Sequence, residues 1–358
     1  MRFDDLLSAP QYSIPQYEKE QILLEHLHAL TRHHQAHCSS YQRLMRVLHP
    51  TGAEPRSLAD LPYLPAGLFK SHRLMSIAQE DVFKTLTSSG TSGQQVSRIF
   101  LDRTTAQRQT AALARIMTHI LGPERLPMIL VESASALKDR KSFSARGAGV
   151  LGMMTFGRNH WYALNDQMEL DEPGLQRFLD NYGGRPFLIF GFTFMVWQYL
   201  LGRVAEGADL SRGILIHSGG WKKLQEISVG NAEFARRFRE KTGLRRIYNF
   251  YGMVEQVGSV YLEGDDGYLY APNFADILIR DPVTWEVLPP GKPGVIQALS
   301  ALPLSYPGHS ILTEDLGVVH GIDDGGCGRL GKYFSVLGRV PLAELRGCSD
   351  IHAAQVTP

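Results

Sequence analysis

Apolar residues recur at helical spacing near the amino terminus. Within residues 15–48 they repeat every three or four positions, and Pro15 occupies the first-turn position that a helix tolerates. This period predicts an amino-terminal helical region. The residues that set it are Ile22, Leu23, Leu27 and Leu30.

The same region carries five histidines, His26, His28, His33, His34 and His37. His33 and His37 are one helical turn apart and could in principle share a metal ion. No acidic or cysteine ligand accompanies them in the pattern. We therefore interpret the five histidines as part of a solvated polar face.

The pattern changes in residues 128–251, where short apolar runs alternate with helix-like stretches. This alternation predicts an α/β fold whose strands are buried on both faces. The most apolar window, 187–197, has 11 residues, whereas a helix that crosses a bilayer needs about 20. We expect a buried strand and a following helix there, and no membrane span. The predicted strands are 128–131, 187–190, 213–216 and 246–248, and the predicted helices are 174–181 and 231–241.

Beyond Phe274 short β-rich runs are separated by proline and glycine turns, which predicts a β-rich subdomain. The predicted strands there are 276–279, 294–298 and 317–319. The chain is expected to divide into an N-terminal helical region (1–60), an α/β core (61–275), a β-rich subdomain (276–339) and a short C-terminal tail (340–358).

The composition of the chain argues against several classes of function. Hydrophobic residues make up 44% of the 358 residues and the formal net charge is +1, so no broad positive field is expected to attract nucleic acid or an anionic membrane. The first residues include acids where a secretory signal would be basic. The cysteines Cys38, Cys327 and Cys348 form no Cys-x-x-Cys pair, so a reducing cytoplasm is the expected location.

Candidate chemistry begins with a hydroxyl- and glycine-rich segment, residues 87–93. Glycines let the backbone turn tightly towards phosphate oxygens, and serine and threonine hydroxyls add neutral donors. The segment lacks the Gly-Lys-Ser/Thr ending of a Walker loop, and on composition alone a flexible loop is an equally good interpretation. The segment consists of Thr87, Ser88, Ser89, Gly90, Thr91, Ser92 and Gly93.

The order of residues in this segment resembles the phosphate loop of the adenylate-forming superfamily, which includes acyl-CoA synthetases and luciferases. A second segment, 249–255, resembles the Asn-x-Tyr-Gly-x-x-Glu motif of that superfamily. The resemblance implies that Tyr251 stacks near adenine and that Glu255 helps to hold Mg²⁺, because an aromatic face suits a purine and a hard carboxylate suits Mg²⁺. The nucleotide-binding residues that this motif adds are Asn249, Tyr251, Gly252 and Met253.

Two further motifs follow in the superfamily's order. Residues 313–317 resemble its Thr-Gly-Asp segment, in which the aspartate, here Asp315, accepts hydrogen bonds from ribose hydroxyls. Glu314 replaces the usual glycine of that segment. Residues 337–339 resemble the Gly-Arg segment, whose arginine, here Arg339, reaches the nucleotide. Four motifs in the right order together imply one ATP site.

A Gly-Gly turn precedes the second motif. Gly219 and Gly220 match a turn that borders both the acyl pocket and the nucleotide in relatives, and paired glycines let backbone approach a ligand closely. His217, just before them, is either a polar handle in that pocket with a catalytic role or a satisfied residue at a strand end. The sequence leaves these two interpretations open.

The resemblance implies the large-domain fold of the superfamily, with two α/β subdomains and a β-rich, barrel-like subdomain, and it implies ATP and Mg²⁺ as cofactors. Relatives usually carry a further C-terminal lobe with a lysine that neutralises charge during adenylation. Only a short tail follows Arg339, so we expect that lobe to be truncated and a cation of the large domain to replace its lysine. The candidate cations are Arg98, Lys222, Lys223 and Arg339.

Within the superfamily the chain resembles the acyl-protein synthetases of bacterial luminescence (LuxE type). The truncation, residues 61–65 leading to Phe69 and Lys70, and residues 250–256 carry this resemblance. It implies a ligase that activates a fatty acid as its acyl-adenylate, transfers the acyl group to its own cysteine and delivers it to an acyl reductase partner. Cys348 occupies the matching place, and a thiolate attacks an acyl-adenylate readily.

Two alternatives stay open. The chain could be a truncated ligase that activates a small aromatic or specialised acid in a biosynthetic cluster, without self-acylation. It could instead be a nucleotide-binding subunit without activity, for which the missing lysine is the main support. Spacing alone also leaves Cys348 as an inert residue of the tail.

Overall fold

The computed structural model describes residues 3–50, 54–88, 95–137, 145–221 and 229–340. The chain divides into two compact units. The first unit comprises the described residues of Met1–Ile116 and Gly252–Pro358, and the second unit comprises those of Met117–Tyr251. The four-part division expected from the sequence stays a prediction.

Three helices open the first unit and confirm the predicted amino-terminal helical region. They are α1 (Phe3–Ser8), α2 (Gln16–His37) and α3 (Ser39–Leu48). Pro15 is the N-cap of α2, where its missing N–H costs no helical hydrogen bond. Cys38 separates α2 from α3 and caps α3, because its sulfur accepts the Tyr41 N–H at 3.4 Å.

The interpretation of all five histidines as a solvated face is wrong for His34. Its side chain is fully buried, and its ring stacks on His309 with 5.0 Å between the centroids. The His34 ring nitrogens lie 2.8 Å from the Ser76 hydroxyl and 3.3 Å from the Pro303 carbonyl oxygen. Within the described residues, no group of three or more His, Cys, Asp or Glu side chains is arranged to hold a metal ion.

We expect the protein to lose stability in mild acid because His309 is buried without charge. Burial lowers the pKa of His309 to about 3, and His33 adds to that effect. In the unfolded chain the histidine takes up a proton near pH 6.5, so the unfolded state binds more protons between about pH 6.5 and pH 3. Stability therefore falls as the pH falls through this window. At pH 5 the loss is about 2 kcal/mol for this histidine alone.

Urea unfolding at about pH 7.5 and about pH 5 measures this loss. In His309→Gln the difference between the two free energies of unfolding should shrink by about 2 kcal/mol, because glutamine can still hydrogen-bond Thr31 but does not titrate. His37→Gln, at an exposed position of α2, is the matched control. An unchanged difference in His309→Gln, or an equal change in His37→Gln, contradicts the prediction.

Five parallel strands form the sheet of the second unit. They are β4 (Leu126–Ser133), β5 (Gly157–Leu164), β6 (Phe187–Phe192), β7 (Gly213–Ser218) and β8 (Arg246–Tyr251), and their spatial order is β8-β7-β6-β4-β5. Every residue of β7 is buried, as are all but the first of β4 and all but the last of β6, which confirms the predicted two-sided burial for these three strands. The prediction is wrong for β8, where Tyr248 is buried but Arg246 is exposed. The accompanying helices are α6 (Ala145–Met154), α7 (Glu172–Tyr182), α8 (Thr193–Met195), which continues as a π-helix over Val196–Leu201, and α9 (Asn231–Thr242).

The first unit carries mainly antiparallel strands, which confirms the β-rich region predicted beyond Phe274. These strands are β1 (Leu64–Pro65), β9 (Tyr261–Glu263), β10 (Leu269–Tyr270), β11 (Ala275–Arg280), β12 (Gly294–Ser300), β13 (Ser310–Ile322) and β14 (Lys332–Arg339). Six of them follow the spatial order β11-β12-β13-β14-β10-β9, and β1 pairs in parallel with β13.

A separate antiparallel hairpin of the first unit positions the hydroxyl-rich segment. It consists of β2 (Lys84–Thr87) and β3 (Arg98–Leu101), and the short helix α4 (Leu68–Ser71) precedes it in the chain. Ile99 and Leu101 of β3 are buried in a core that Tyr41 and Tyr306 also enter. Helix α5 (Arg103–Leu121) follows the hairpin. Across the described part of the chain, no helix has both the length and the apolar character that a membrane crossing requires.

Candidate active site

Paired hydrogen bonds close the base of the predicted phosphate loop. The Ser88 N–H donates to the Ser97 carbonyl oxygen at 3.1 Å, and the Ser97 N–H donates to the Ser88 hydroxyl at 3.0 Å. Thr87 lies opposite Arg98 in the ladder just before this base. The hairpin therefore holds both ends of the loop. Ser89, Gly90, Thr91, Ser92 and Gly93 lie outside the described residues.

Glu255 lies in a short 3₁₀ turn, Val254–Gln256, that is tightly anchored in the first unit. The Gln256 side-chain amide donates to the carbonyl oxygens of Ala298 and Gly308, each at 2.9 Å. A Cβ atom at position 308 would lie 2.5 Å from the Glu255 carbonyl oxygen, so only glycine allows this approach. These contacts fix the backbone at Glu255, which is the predicted metal ligand.

The Glu255 carboxylate is almost completely buried, with 8% of the residue exposed. Burial raises its pKa, and the Ser97 side chain and Lys70 oppose that rise. Ser97 also belongs to the base of the predicted phosphate loop. The first unit therefore brings a carboxylate with incompletely compensated charge to the foot of that loop, which is an arrangement suited to a cation.

Glu314, which replaces a glycine of the superfamily motif, has a partner in Lys70. The Lys70 ammonium nitrogen lies 3.9 Å from a Glu314 carboxylate oxygen, and both side chains are partly exposed. Such a pair adds little stability, but it brings a cation into electrostatic range of Glu255. Sequence reasoning does not find this pair, because Lys70 and Glu314 lie far apart in the chain.

Asp315 of the third motif and Arg339 of the fourth motif are neighbours on adjacent strands. They lie opposite each other on β13 and β14, and 3.7 Å separates the Arg339 Nε from an Asp315 carboxylate oxygen. The Thr313 hydroxyl accepts the Asp315 N–H at 3.1 Å and donates to the Ile296 carbonyl oxygen at 2.9 Å. The structure thus joins two motifs that are separated by more than twenty residues in the sequence.

The carboxyl ends of two parallel strands carry the predicted residues of the second unit. His217 on β7 lies opposite Asn249 on β8, and Tyr251 is the last residue of β8. Gly219 has φ of +83°, and an added Cβ there would lie 3.4 Å from the Phe192 ring, so glycine is required by the backbone conformation. Gly220 follows it in the turn. Ligands of open α/β sheets bind outside this edge.

His217 is a neutral, satisfied residue at the end of its strand. Its Nδ1 lies 2.9 Å from the Thr193 hydroxyl, and its ring stacks on Phe234 with 4.5 Å between the centroids. Only 2% of the residue is exposed, and burial lowers its pKa to about 3. Of the two interpretations left open by the sequence, the geometry favours the satisfied one. A catalytic role of His217 stays a prediction.

A sequence model of the acyl-protein synthetase (LuxE) family matches residues 2–357. The chain belongs to this family. It is 23% identical over 359 residues to the long-chain-fatty-acid–luciferin-component ligase of Vibrio harveyi, covering 97% of this chain and 91% of that protein. The enzyme of the same name from Aliivibrio fischeri is 22% identical over 268 residues, which cover 74% of this chain and 70% of that protein.

Solved structures give the fold of this acyl-protein synthetase family member. An open conformation of 2-hydroxyisobutyryl-CoA ligase, in complex with 2-HIB-AMP and CoA, superposes with a TM-score of 0.68. The sequences are 18% identical, and the match covers 91% of this chain and 76% of that one. The predicted fold class is confirmed. The chain is an acid-activating ligase with the fold of the adenylate-forming enzymes.

The remaining predicted site residues of this family member lie in different settings. Gly252 is exposed at the start of the first unit's second segment. Met253, the N-cap of the 3₁₀ turn, packs against the hydrophobic core cluster of the first unit to which Phe69 belongs. Cys348 lies outside the described residues, as do the candidate cations Lys222 and Lys223.

Proposed function

We propose that this acyl-protein synthetase uses ATP to convert a fatty acid into an acyl-adenylate and then carries the acyl group on its own Cys348. The buried carboxylate of Glu255 at the foot of the Ser/Gly-rich segment is the observation that carries the proposal. Burial of a carboxylate whose charge is only partly offset by its neighbours costs free energy, and enzymes retain such groups at functional sites.

Glu255 fits a role as a ligand of Mg²⁺. Magnesium ions at nucleotide sites are held by one or two carboxylates together with substrate phosphates, so a single protein carboxylate is a sufficient contribution. Mg²⁺ supplies neutralisation of phosphate charge when it is bound. Residues 87–93 hold the phosphates of ATP through backbone N–H groups and hydroxyls, with Ser88 and Ser97 fixing the ends of the segment.

The other nucleotide contacts follow from side-chain chemistry. Asp315 accepts hydrogen bonds from the ribose hydroxyls, and Arg339, beside it, donates to the nucleotide. Tyr251 and Asn249 at the end of β8 contact adenine, while Gly219 and Gly220 present backbone groups to the nucleotide.

In the reaction a carboxylate oxygen of the acid attacks the α-phosphorus, and the bond between that phosphorus and the bridging oxygen of pyrophosphate breaks. Positioning and charge neutralisation supply most of the acceleration.

An aromatic cluster in the second unit supports an apolar acid. The Trp197 ring stacks on Phe234 at 5.6 Å between centroids and contacts Trp221 edge-on at 5.1 Å. His217 joins this cluster through Phe234, close in sequence to Gly219. Trp197 and Trp221 are only partly buried, and their exposed apolar surface suits an alkyl chain better than a charged substrate. The name of the Vibrio harveyi relative supports the same substrate class.

Acyl transfer completes the proposal. The Cys348 thiolate attacks the carbonyl carbon of the acyl-adenylate, a carbon–sulfur bond forms, and AMP leaves with the electron pair of the broken carbon–oxygen bond. The thioester remains reactive towards an acyl reductase partner. A thiol carrier must stay reduced, so we place the reaction in the cytoplasm.

ATP–pyrophosphate exchange across a panel of fatty and aryl acids tests the adenylation step. We expect exchange with long-chain fatty acids in the wild type and a loss of about 100-fold in Glu255→Gln, which is the scale for removal of one charged group that acts on the transition state. The replacement keeps the shape of the side chain. Since burial raises the pKa of Glu255, its charge does not stabilise the fold, and the variant should fold normally.

Glu286→Gln, at an exposed position of the same unit, is the control and should exchange at the wild-type rate. Exchange with aryl acids alone would support the specialised-acid ligase instead. A folded protein without exchange for any acid would support a nucleotide-binding subunit.

A further inference from the structure

A basic cleft of about 550 Å³ lies in the first unit, beside strand β3. Residues of α4 and of the segment after it form one side, and residues 95–100 form the other. A volume of this size lies in the range of small-molecule sites. The cleft lies outside the nucleotide contacts assigned above.

Three basic side chains line the cleft, Lys70, Arg73 and Arg98, and none of the described residues that line it is acidic. The Arg73 guanidinium lies over the Phe100 ring, 5.2 Å from its centroid, which holds the cation in place. Glu314, at 3.9 Å from Lys70, offsets one of the three charges. The cleft therefore keeps an excess of positive charge in a chain whose formal net charge is only +1.

Successive side chains of β3 point to opposite faces of the strand, which explains why the cleft residues Arg98 and Phe100 lie on one side. Ile99 and Leu101 enter the core, so Arg98 and Phe100 share the opposite face of the strand. Thr87 lies directly opposite Arg98 and so points to the same side.

The chain also connects the cleft to the predicted phosphate loop. Gln95 and Val96, which line the cleft, follow the segment 87–93 after a single residue. The loop that is proposed to hold the ATP phosphates thus runs directly into the wall of the cleft.

We propose that this cleft binds pyrophosphate, the leaving group of adenylation. The assignment rests on the proposed adenylation function. Planar guanidinium groups bind phosphate oxygens in a bidentate manner, and a lysine ammonium adds a compact charge. When the bond between the α-phosphorus and the bridging oxygen breaks, its electron pair stays with pyrophosphate, so negative charge accumulates on the group that the three cations face.

The cleft also contains a cation that the sequence offered for charge neutralisation during adenylation. Arg98 was one of the candidate cations from the sequence, and the geometry adds Lys70 and Arg73 to it.

Exchange kinetics with Arg73→Gln and Arg98→Gln test the assignment. In each variant we expect the apparent KM for pyrophosphate to rise about tenfold, because a charge-assisted hydrogen bond is lost, with less than about a twofold change in the KM for ATP. Lys84→Gln is the matched control, since Lys84 is an exposed residue on the other face of the same hairpin. An unchanged KM for pyrophosphate, or an equal rise for ATP and pyrophosphate, overturns the proposal.

Calorimetric titration of the nucleotide-free protein with magnesium pyrophosphate separates the cleft from adenylation itself. Wild-type protein should bind pyrophosphate more tightly than inorganic phosphate, and the double variant Arg73→Gln/Arg98→Gln should lose that binding while its thermal unfolding stays unchanged. Binding that persists in the double variant, no binding in the wild type, or equal affinity for phosphate overturns the assignment. This result is independent of exchange, so it stands even where no acid supports adenylation.

Discussion

Replacement of Asp276 by asparagine should lower the free energy of unfolding by about 3–5 kcal/mol, the scale for removing one partner from a buried ion pair. Asp276 on β11 is completely buried. The Lys332 ammonium lies 3.4 Å from one of its carboxylate oxygens, and the Lys19 ammonium lies 4.0 Å from the other. Without the aspartate, two buried lysines of like charge would remain close together.

The Asp276 carboxylate also accepts hydrogen bonds from neutral donors. The Gln16 side-chain amide donates to one oxygen at 2.6 Å, and the Ile277 N–H donates to the other at 2.7 Å. Burial alone would raise the pKa of Asp276, but Lys19, Lys332 and these donors bring it below its ordinary value. Its stabilising contribution is therefore present above the ordinary aspartate pKa and is lost as the pH falls below it.

Urea unfolding near neutral pH measures the loss, with Glu20→Gln as the control. Glu20 is the other partner of Lys332, at 3.0 Å, but it is 43% exposed, so its replacement should cost less than about 1 kcal/mol. The double variant Asp276→Asn/Lys19→Met should recover part of the loss, because it removes one of the two buried charges. If Asp276→Asn lowers the free energy of unfolding no more than Glu20→Gln does, the prediction is contradicted.

Sequence reasoning finds structure that depends on residues close together in the chain. It does not find contacts between residues that are far apart in the chain. The apolar stripe of α2 at Leu23, Leu27 and Leu30 predicted the helix, and its continuation by one turn reaches His34. That periodicity could have placed His34 in the core. Its partner His309 could not be found, because no local pattern connects residues so far apart in the chain.

The same limit applies to the candidate site. Motif order predicted Glu255, Asp315 and Arg339, and cross-strand pairing in the structure now joins the last two. In the sequence Glu314 is only a departure from the motif, because its partner Lys70 lies more than 200 residues away in the chain. Burial of Glu255 was likewise not readable, since it depends on the packing around Gly308.

Loss of covalent acyl labelling in Cys348→Ala, with adenylation retained, is the largest functional effect that we expect. Incubation with ATP, Mg²⁺ and a labelled fatty acid should give a thioester on the wild-type protein that hydroxylamine removes after denaturation. In the variant no label should remain, because no nucleophile takes the acyl group from AMP. Exchange should continue at the wild-type rate, since the thiol acts only after the acyl-adenylate forms.

The structure supplies the matched control for this experiment. Of the three thiols, Cys38 is 3% exposed and its sulfur caps α3, so it is not available to an acyl-adenylate. Cys327 is partly exposed, and its sulfur packs against Gly264, where an added Cβ would lie 2.7 Å away. Cys327→Ala should therefore keep the full label. If the label persists in Cys348→Ala and disappears in Cys327→Ala, the acyl carrier lies in the β-rich part of the first unit and not in the C-terminal tail.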